Sequence, residues 1–138
     1  MVFTYYYNIF LLNDEESYQY TGISDVELSA KTLLEAGPEI VIIKMGSRGS
    51  LVSSNILKKH IPCHPIDKLV DPTGAGDTFA GGFVGYLALN LDNPNFIEAA
   101  VVGSAMASFC VEGFGAKTLL NITNELLDLR IEKIKQLN

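Results

Sequence analysis

The sequence is poor in cysteine and in basic residues. Cys63 and Cys110 are the two cysteines in 138 residues, too few for a disulfide framework, so we expect both thiols to be reduced. The 10 lysine and arginine residues stand against 16 aspartate and glutamate residues, which gives a net charge of -6. Because lysine and arginine dominate binding to nucleic acids and anionic lipids, this balance argues against both kinds of partner.

Signals for membrane insertion and secretion are also missing. No apolar run reaches the length that crosses a bilayer. The opening MVFTYYYN has neither the basic start nor the small-residue cleavage site of a secretory signal. These absences predict a cytoplasmic protein without membrane contact.

A zinc site is disfavoured as well. His60, Cys63 and His64 lie close together in the segment HIPCHP. The segment lacks the paired ligand spacing and the second cluster that structural zinc sites have. We therefore interpret it as the end of a strand followed by a turn.

The residues that are present are typical of a folded α/β domain. Hydrophobic residues make up 48% and charged residues 19% of a 15.0 kDa chain, which predicts one globular unit over residues 1–138. The apolar runs at 8–12 and 39–46 predict buried strands. Between them, Ser24 and Glu27 have the spacing of a capping box, which predicts a helix that begins at Ser24 and stops at Gly37. A strand, a helix and a strand predict a right-handed crossover in a parallel sheet.

The second half of the sequence predicts a hairpin and then helices. The glycine turn at 46–49 leads into a returning strand, and the segment ILKKHIPC predicts one more strand. Helices are expected at 77–89, 94–112 and 123–137, the last with Thr123 as its cap. The first of these contains three glycines, which predict close packing against another element or a ligand: Gly81, Gly82 and Gly85.

The most informative segment is DPTGAGDTFAGGF, residues 71–83. Gly74, Ala75 and Gly76 carry almost no side chain, so a ligand can come close to their backbone NH groups. At the start of a helix these groups favour an anion, and phosphate binding is the preferred interpretation. Asp77 is then either an ordinary cap or a base that takes a proton from an attacking hydroxyl. The segment is neither a Walker loop nor a dinucleotide fingerprint.

Two other short motifs are ambiguous by themselves. Asn13 and Glu16 in NDEE have the spacing of a capping box, yet the same spacing also suits oxygen contacts to hydrated magnesium. The capping box is the better interpretation of that motif alone, with Gly22 closing the short helix. The turn at 46–49 is either a plain hairpin or a loop that wraps a nucleotide phosphate, and alone it is better read as a hairpin.

Taken together and in order, these motifs resemble the C-terminal half of the ribokinase-like carbohydrate kinases, the PfkB family. DPTGAGDTFAGGF is similar to the second signature of that family. NDEES and VIIKMGSRGSLV resemble its magnesium-associated and nucleotide-associated elements, and VVGSAMASFCVEGFGA resembles the late helix and loop that line its adenine pocket. The resemblance implies a three-layer α/β/α sandwich, of which this chain carries the C-terminal part of the sheet and its helices.

The resemblance also implies an activity, the ATP-dependent phosphorylation of a hydroxyl of a sugar or nucleoside. Asp77 would be the base, and the NH groups of Gly74, Ala75 and Gly76 would stabilise charge on the transferring phosphoryl group. The remaining residues would bind cofactors. These are Asn13 and Glu16 for Mg2+, Asp71 for a monovalent cation such as K+, Gly46, Ser47 and Gly49 for the nucleotide phosphates, and Ser104 and Gly113 for the adenine. Ser104 departs from the pattern, because several relatives have an asparagine there.

The N-terminal half of the family, with its sugar-binding motif and β lid, has no counterpart in the sequence. A sheet cut through its middle leaves an open strand edge and uncovered helix faces. We therefore expect a homo-oligomer, a missing N-terminal half or a weakly stable chain, with the tyrosines at 5–7 near the open edge. Two interpretations stay open: the catalytic and nucleotide-binding part of a kinase, or a non-catalytic remnant that binds a nucleotide or has a structural, oligomerising role. The identity of the sugar or nucleoside also stays open.

Overall fold

A computed structural model describes residues 7–138, which form a four-stranded sheet covered by helices on both faces. In chain order the elements are β1 (Ile9–Asn13), α1 (Asp14–Thr21), α2 (Val26–Glu35), β2 (Ile40–Lys44), a 3-10 turn (Gly46–Arg48), β3 (Ser50–Ser54), β4 (Lys58–Ile61), α3 (Ala75–Leu89), α4 (Phe96–Cys110), α5 (Lys117–Leu120) and α6 (Asn124–Gln136).

The sheet combines one parallel and two antiparallel pairs, in the order β1-β2-β3-β4. β1 runs parallel to β2, with Ile9 opposite Ile40, as the strand, helix and strand pattern predicts. β2 and β3 form an antiparallel hairpin that places Lys44 directly opposite Ser50. The hairpin prediction for the turn at 46–49 is therefore confirmed.

The two faces of the sheet carry separate cores because successive side chains of a strand point to opposite sides. In β2, Ile40 and Ile42 pack with α3, α4 and α6, whereas Val41 and Ile43 pack with α2. All four of these side chains are buried. This arrangement is a three-layer α/β/α sandwich, as predicted.

Helices α3 and α4 approach each other closely through glycines. A Cβ built on Gly103 would lie 2.7 Å from the carbonyl oxygen of Phe79, and one on Gly82 would lie 3.1 Å from the Cα of Gly103. The close-packing prediction is right for Gly82. For Gly81 and Gly85 a Cβ would meet no described atom within 4 Å, so close packing against an element or a ligand stays a prediction there.

Several predicted helix boundaries move by one or two residues. The N-cap of α2 is Asp25 and not Ser24, because the Asp25 side chain accepts the bond from the Leu28 amide at 2.7 Å. The same helix ends at Glu35, before Gly37. Helix α4 starts after Asn95, whose side chain caps the amides of Ile97 and Glu98, and α5 has no counterpart among the predicted helices. Thr123 caps α6 as predicted.

The N-terminal segment is described from Tyr7 onward. The Tyr7 ring packs edge-on against Phe96, with ring centroids 5.1 Å apart. The predicted position of Tyr5 and Tyr6 near the sheet edge lies outside the described residues. Within residues 7–138, no helix combines the length and apolar character needed to cross a membrane.

Candidate functional site

A cavity of about 350 Å³ opens where β1, β2 and the hairpin turn meet the first turn of α3 and one side of α4. The carboxyl end of β1 and the turn after β2 form its rim, and α4 forms its far wall. It is lined by Asn13, Asp14, Glu15, Lys44, Gly46, Gly49, Ser50, Cys63, Ala75, Gly76, Phe79, Ser104, Ala107 and Ser108.

At the end of β1, Asn13 and Glu16 cap α1 reciprocally. The Asn13 Oδ1 accepts from the Glu16 amide at 2.7 Å, and the Glu16 Oε2 accepts from the Asn13 amide at 2.8 Å. The predicted capping box is thus confirmed. Asn13 lines the cavity and Glu16 does not, and the remaining oxygen of Glu16 accepts no hydrogen bond from the described residues.

The hairpin turn is held from three sides. Arg48 forms an ion pair with Asp14 at 2.5 Å, and the Arg48 carbonyl oxygen is 2.6 Å from His60 Nε2. Gly49 has a φ of 84°, and a Cβ there would lie 2.1 Å from the carbonyl oxygen of Ile61. The fold itself therefore requires glycine at position 49.

The first turn of α3 presents free backbone donors. Gly74 is the N-cap in a left-handed conformation, with a φ of 82°, and α3 begins at Ala75, two residues before the predicted start at 77. The Ala75 amide donates to Pro72 at 3.2 Å, whereas the amides of Gly76 and Asp77 find no acceptor among residues 7–138. Unpaired amides at a helix start, together with the helix dipole, favour an anion.

Two aspartates flank this turn. Asp71 accepts from the Thr73 amide at 2.9 Å, and this hydrogen bond lowers the pKa of its carboxyl below the usual value, so Asp71 is ionised at neutral pH. Asp77 is exposed, and its side chain forms no hydrogen bond or ion pair with the described residues. Neither aspartate lines the cavity.

Lys44 is a cavity residue that the sequence interpretation missed. It ends β2 on the same face as Ile40 and Ile42, the face that α3 covers. A Cβ built on Gly76 would lie 2.9 Å from the Lys44 Nζ, so the ammonium group sits against the first turn of α3. Within residues 7–138 it forms no salt bridge.

Ser50 lies across the strand pair from Lys44 and was also missed. It is 2% exposed, and its Oγ has no hydrogen-bond partner among the described residues. A buried hydroxyl without a partner costs about 1–3 kcal/mol. The signal that could have identified both residues is the alternation of side chains along β2 and β3. This alternation places Lys44 and Ser50 on the face of the sheet that α3 covers.

The α4 wall of the cavity has polar groups that already have protein partners. Ser104 Oγ donates to the Pro62 carbonyl at 3.4 Å, and Ser108 Oγ donates to the Ala105 carbonyl at 2.6 Å. Ser108 Oγ also accepts from Arg130 at 3.1 Å. Burial raises the pKa of the Cys63 thiol, so this thiol is uncharged at neutral pH.

The structure brings together half of the predicted site residues. Asn13, Gly46, Gly49, Ala75, Gly76 and Ser104 line the cavity; Glu16, Ser47, Asp71, Gly74, Asp77 and Gly113 do not. Several of the second group adjoin cavity residues in the chain, such as Ser47 in the hairpin turn and Asp77 in the first turn of α3. Their roles stay predictions. Within the described part of the chain, no three His, Cys, Asp or Glu side chains gather into a group that could hold a metal ion.

The sequence matches a family model, the pfkB family carbohydrate kinases, over residues 3–123. The chain belongs to this family. The nucleoside kinase of Methanocaldococcus jannaschii is 31% identical over 126 residues, which cover 91% of this chain and 39% of that protein. Mouse ribokinase is 38% identical over 110 residues, 69% of this chain and 34% of that protein.

A solved structure of a relative shares the fold. Aminoimidazole riboside kinase from Salmonella enterica, in complex with aminoimidazole riboside and an ATP analogue, superposes with a TM-score of 0.77 at 28% identity. The match covers 90% of this chain and 42% of that protein. The family and the ribokinase-like α/β/α fold are thus confirmed, and the chain spans about two fifths or less of the length of these relatives.

Proposed function

We propose that this chain supplies the nucleotide site and the phosphoryl-transfer groups of an ATP-dependent kinase that acts on a hydroxyl of a sugar or nucleoside. The observation that carries the proposal is the convergence at one cavity of an open helix N-terminus, the Lys44 ammonium group and the carboxyl end of β1. Phosphoryl transfer needs positioning and charge stabilisation above all, and these groups supply both.

In the proposed reaction the first turn of α3 holds the transferring phosphoryl group. The amides of Gly76 and Asp77 are free to donate to its oxygens. The Asp77 carboxylate accepts the proton of the substrate hydroxyl while that oxygen attacks the γ-phosphorus, and ADP leaves with the electrons of the broken bond. The Asp77 carboxylate is exposed and has no partner among residues 7–138, so it is available for this role without first breaking a described contact.

The proposed cofactors are ATP with Mg2+, and a monovalent cation such as K+. Asn13 and one free carboxylate oxygen of Glu16 are oxygen donors of the kind that Mg2+ prefers, so these residues suit the ion, directly or through water. Bound Mg2+ would neutralise charge on the phosphate oxygens. Asp71, ionised at neutral pH, is the proposed contact for the monovalent cation. Ser47, Gly46 and Gly49 would lie beside the nucleotide phosphates, and Ser104 and Gly113 beside the base.

The acceptor site is proposed to come from residues outside this chain, either a further segment or a second chain. The relatives are more than twice as long as the matched region. Within the described residues β1 pairs on one side only, with β2, so its other edge is available for a further strand. The other proposed way to cover this edge is a homo-oligomer of this chain. Size exclusion with light scattering measures the mass of the particle and so distinguishes a homo-oligomer from a chain that needs a further segment. A thermally robust monomer of the 138-residue chain would contradict both.

The test of the proposed function is Asp77→Asn in the complete protein, assayed with sugars and nucleosides. Loss of a general base predicts a fall in kcat of about 10²- to 10⁴-fold. The affinity for ATP should stay within about threefold of wild type, because the base acts on the acceptor hydroxyl and not on ATP. Asp92→Asn is the matched control, since Asp92 is exposed beyond the far end of α3. Near-normal turnover in Asp77→Asn would refute the base assignment. Absence of any phosphoryl transfer by the wild-type protein would favour the non-catalytic remnant.

A further inference from the structure

The two walls of the cavity differ in their free hydrogen-bonding groups. On the sheet side, the Lys44 ammonium group lies against Gly76 and has no ion-pair partner within residues 7–138. The amides of Gly76 and Asp77 also have no acceptor in the described part of the chain. This wall can therefore hold several anionic oxygens, since a compact ammonium group and helix-start amides are typical phosphate ligands.

Ser50 adds a second, independent sign of a ligand at this wall. Its Oγ is buried and has no hydrogen-bond partner among the described residues, and Ser50 lines the cavity opposite Lys44 in the strand register. An unsatisfied buried hydroxyl is unusual enough to need an explanation. A phosphate oxygen at this wall would supply the missing partner after a rotation about the Cα–Cβ bond.

On the α4 wall, by contrast, the polar side chains already have partners among the described residues. The hydroxyls of Ser104 and Ser108 already donate to backbone carbonyls, and the Cys63 thiol points to the His64 carbonyl at 3.5 Å. Phe79 and Ala107 complete this wall with apolar surface. Among the described residues that line it, no amide, carboxylate or guanidinium side chain is present to distinguish the edge of one base from another.

We propose that the site recognises its phosphoryl donor by the phosphate chain, through Lys44 and Ser50, and does not discriminate between purine bases. The inference rests on the proposed nucleotide site and adds the class of donor, purine nucleoside polyphosphates in general. Discrimination between ligands needs a buried polar group that one ligand satisfies and the other leaves unpaired. Among the described residues, the α4 wall offers shape, apolar contact and hydroxyls that already donate to backbone carbonyls.

The test measures dissociation constants of ADP, GDP and inorganic tripolyphosphate by titration calorimetry, with the complete protein at fixed salt. Wild type is expected to bind ADP and GDP within about threefold of each other, and tripolyphosphate is expected to compete with both. Lys44→Met is expected to weaken all three ligands by the same factor, at least about tenfold. Lys44→Arg, which keeps the charge, is expected to restore most of the affinity, and Ser50→Ala to lose several-fold.

Lys31→Met is the matched control. Lys31 is exposed on α2, on the opposite side of the sheet, and its replacement should leave all three dissociation constants unchanged. Thermal unfolding of each variant checks that Lys44→Met still folds. If Lys44→Met does not fold, the dissociation constants of the same three ligands are measured for Lys44→Gln and Ser50→Ala instead.

The outcomes separate this inference from the proposed function. ADP binding ten or more times tighter than GDP, or unchanged ADP affinity in Lys44→Met, would overturn the inference and leave the nucleotide site intact. A folded wild-type protein that binds neither nucleotide would overturn the proposed function and this inference with it.

Discussion

One helix, α3, serves two purposes in two regions. Its first turn, from Gly74 to Asp77, is open: the amides of Gly76 and Asp77 lack acceptors among residues 7–138, Asp77 is exposed and the Lys44 ammonium group lies alongside. Beyond that turn, the helix is packed, with Phe79 and Phe83 buried against α4. The comparison indicates that small residues in the first turn leave room for a ligand, while Gly82 further along leaves room for another helix.

The glycines of the packed region divide again by face. A Cβ built on Gly82 would lie 3.1 Å from the Cα of Gly103 in α4, whereas one built on Gly81 or Gly85 would have no described atom within 4 Å. Val84, which lies between these two in the sequence, is 58% exposed. The uncovered face is the kind of surface that a sheet and helices from a longer protein would bury, in line with the greater length of the relatives.

The largest effect is expected from Gly103→Ala, at the contact between α3 and α4. The new Cβ would lie 2.7 Å from the Phe79 carbonyl oxygen, a backbone atom that moves only if the helices separate. Overpacking of this kind costs about 1–3 kcal/mol of unfolding free energy, which denaturant titration measures. Unchanged stability would show that the α3–α4 contact is looser than described.

Gly76→Ala is expected to separate ligand binding from stability in the first turn. A Cβ there meets the end of a flexible side chain, the Lys44 Nζ at 2.9 Å, and that group can move away at little cost. We expect the unfolding free energy to change by about 0.5 kcal/mol or less, while affinity for ADP falls several-fold because the ammonium group is displaced. A fall in unfolding free energy equal to that of Gly103→Ala would contradict the distinction between the open and the packed region of α3.

The residue types of the first turn predict the open region of α3, and the pattern of residues along the helix predicts the packed region. Each kind of signal has a limit. The motif at 71–83 identifies the helix start because only small residues allow a ligand to approach. Lys44 was missed because a lysine after an apolar run reads as the end of a strand, and its position depends on how β2 lies against α3. No short stretch of sequence determines by itself which distant elements pack together.

Gly49 shows a different limit, because a glycine in a sequence motif can serve the fold as well as a ligand. Its place in a glycine turn suggested contact with nucleotide phosphates, and it does line the cavity. The structure adds a separate requirement for glycine, because a Cβ at this position would lie 2.1 Å from the carbonyl oxygen of Ile61 in β4. A larger residue at Gly49 would therefore disturb the hairpin before it tests the ligand, and Lys44 is the better position for a binding variant.

The smallest effect, and one of opposite sign, is expected from Gly81→Ala on the uncovered face of α3. Alanine is favoured over glycine inside a helix by about 0.5–1 kcal/mol, because it restricts the unfolded chain more, and no described atom obstructs the new Cβ. In the 138-residue chain, denaturant titration should give a gain of that size. In a complete protein, the same variant should lose stability if another segment packs on this face. A gain in both would mean that the face remains exposed and that the covering partner lies elsewhere.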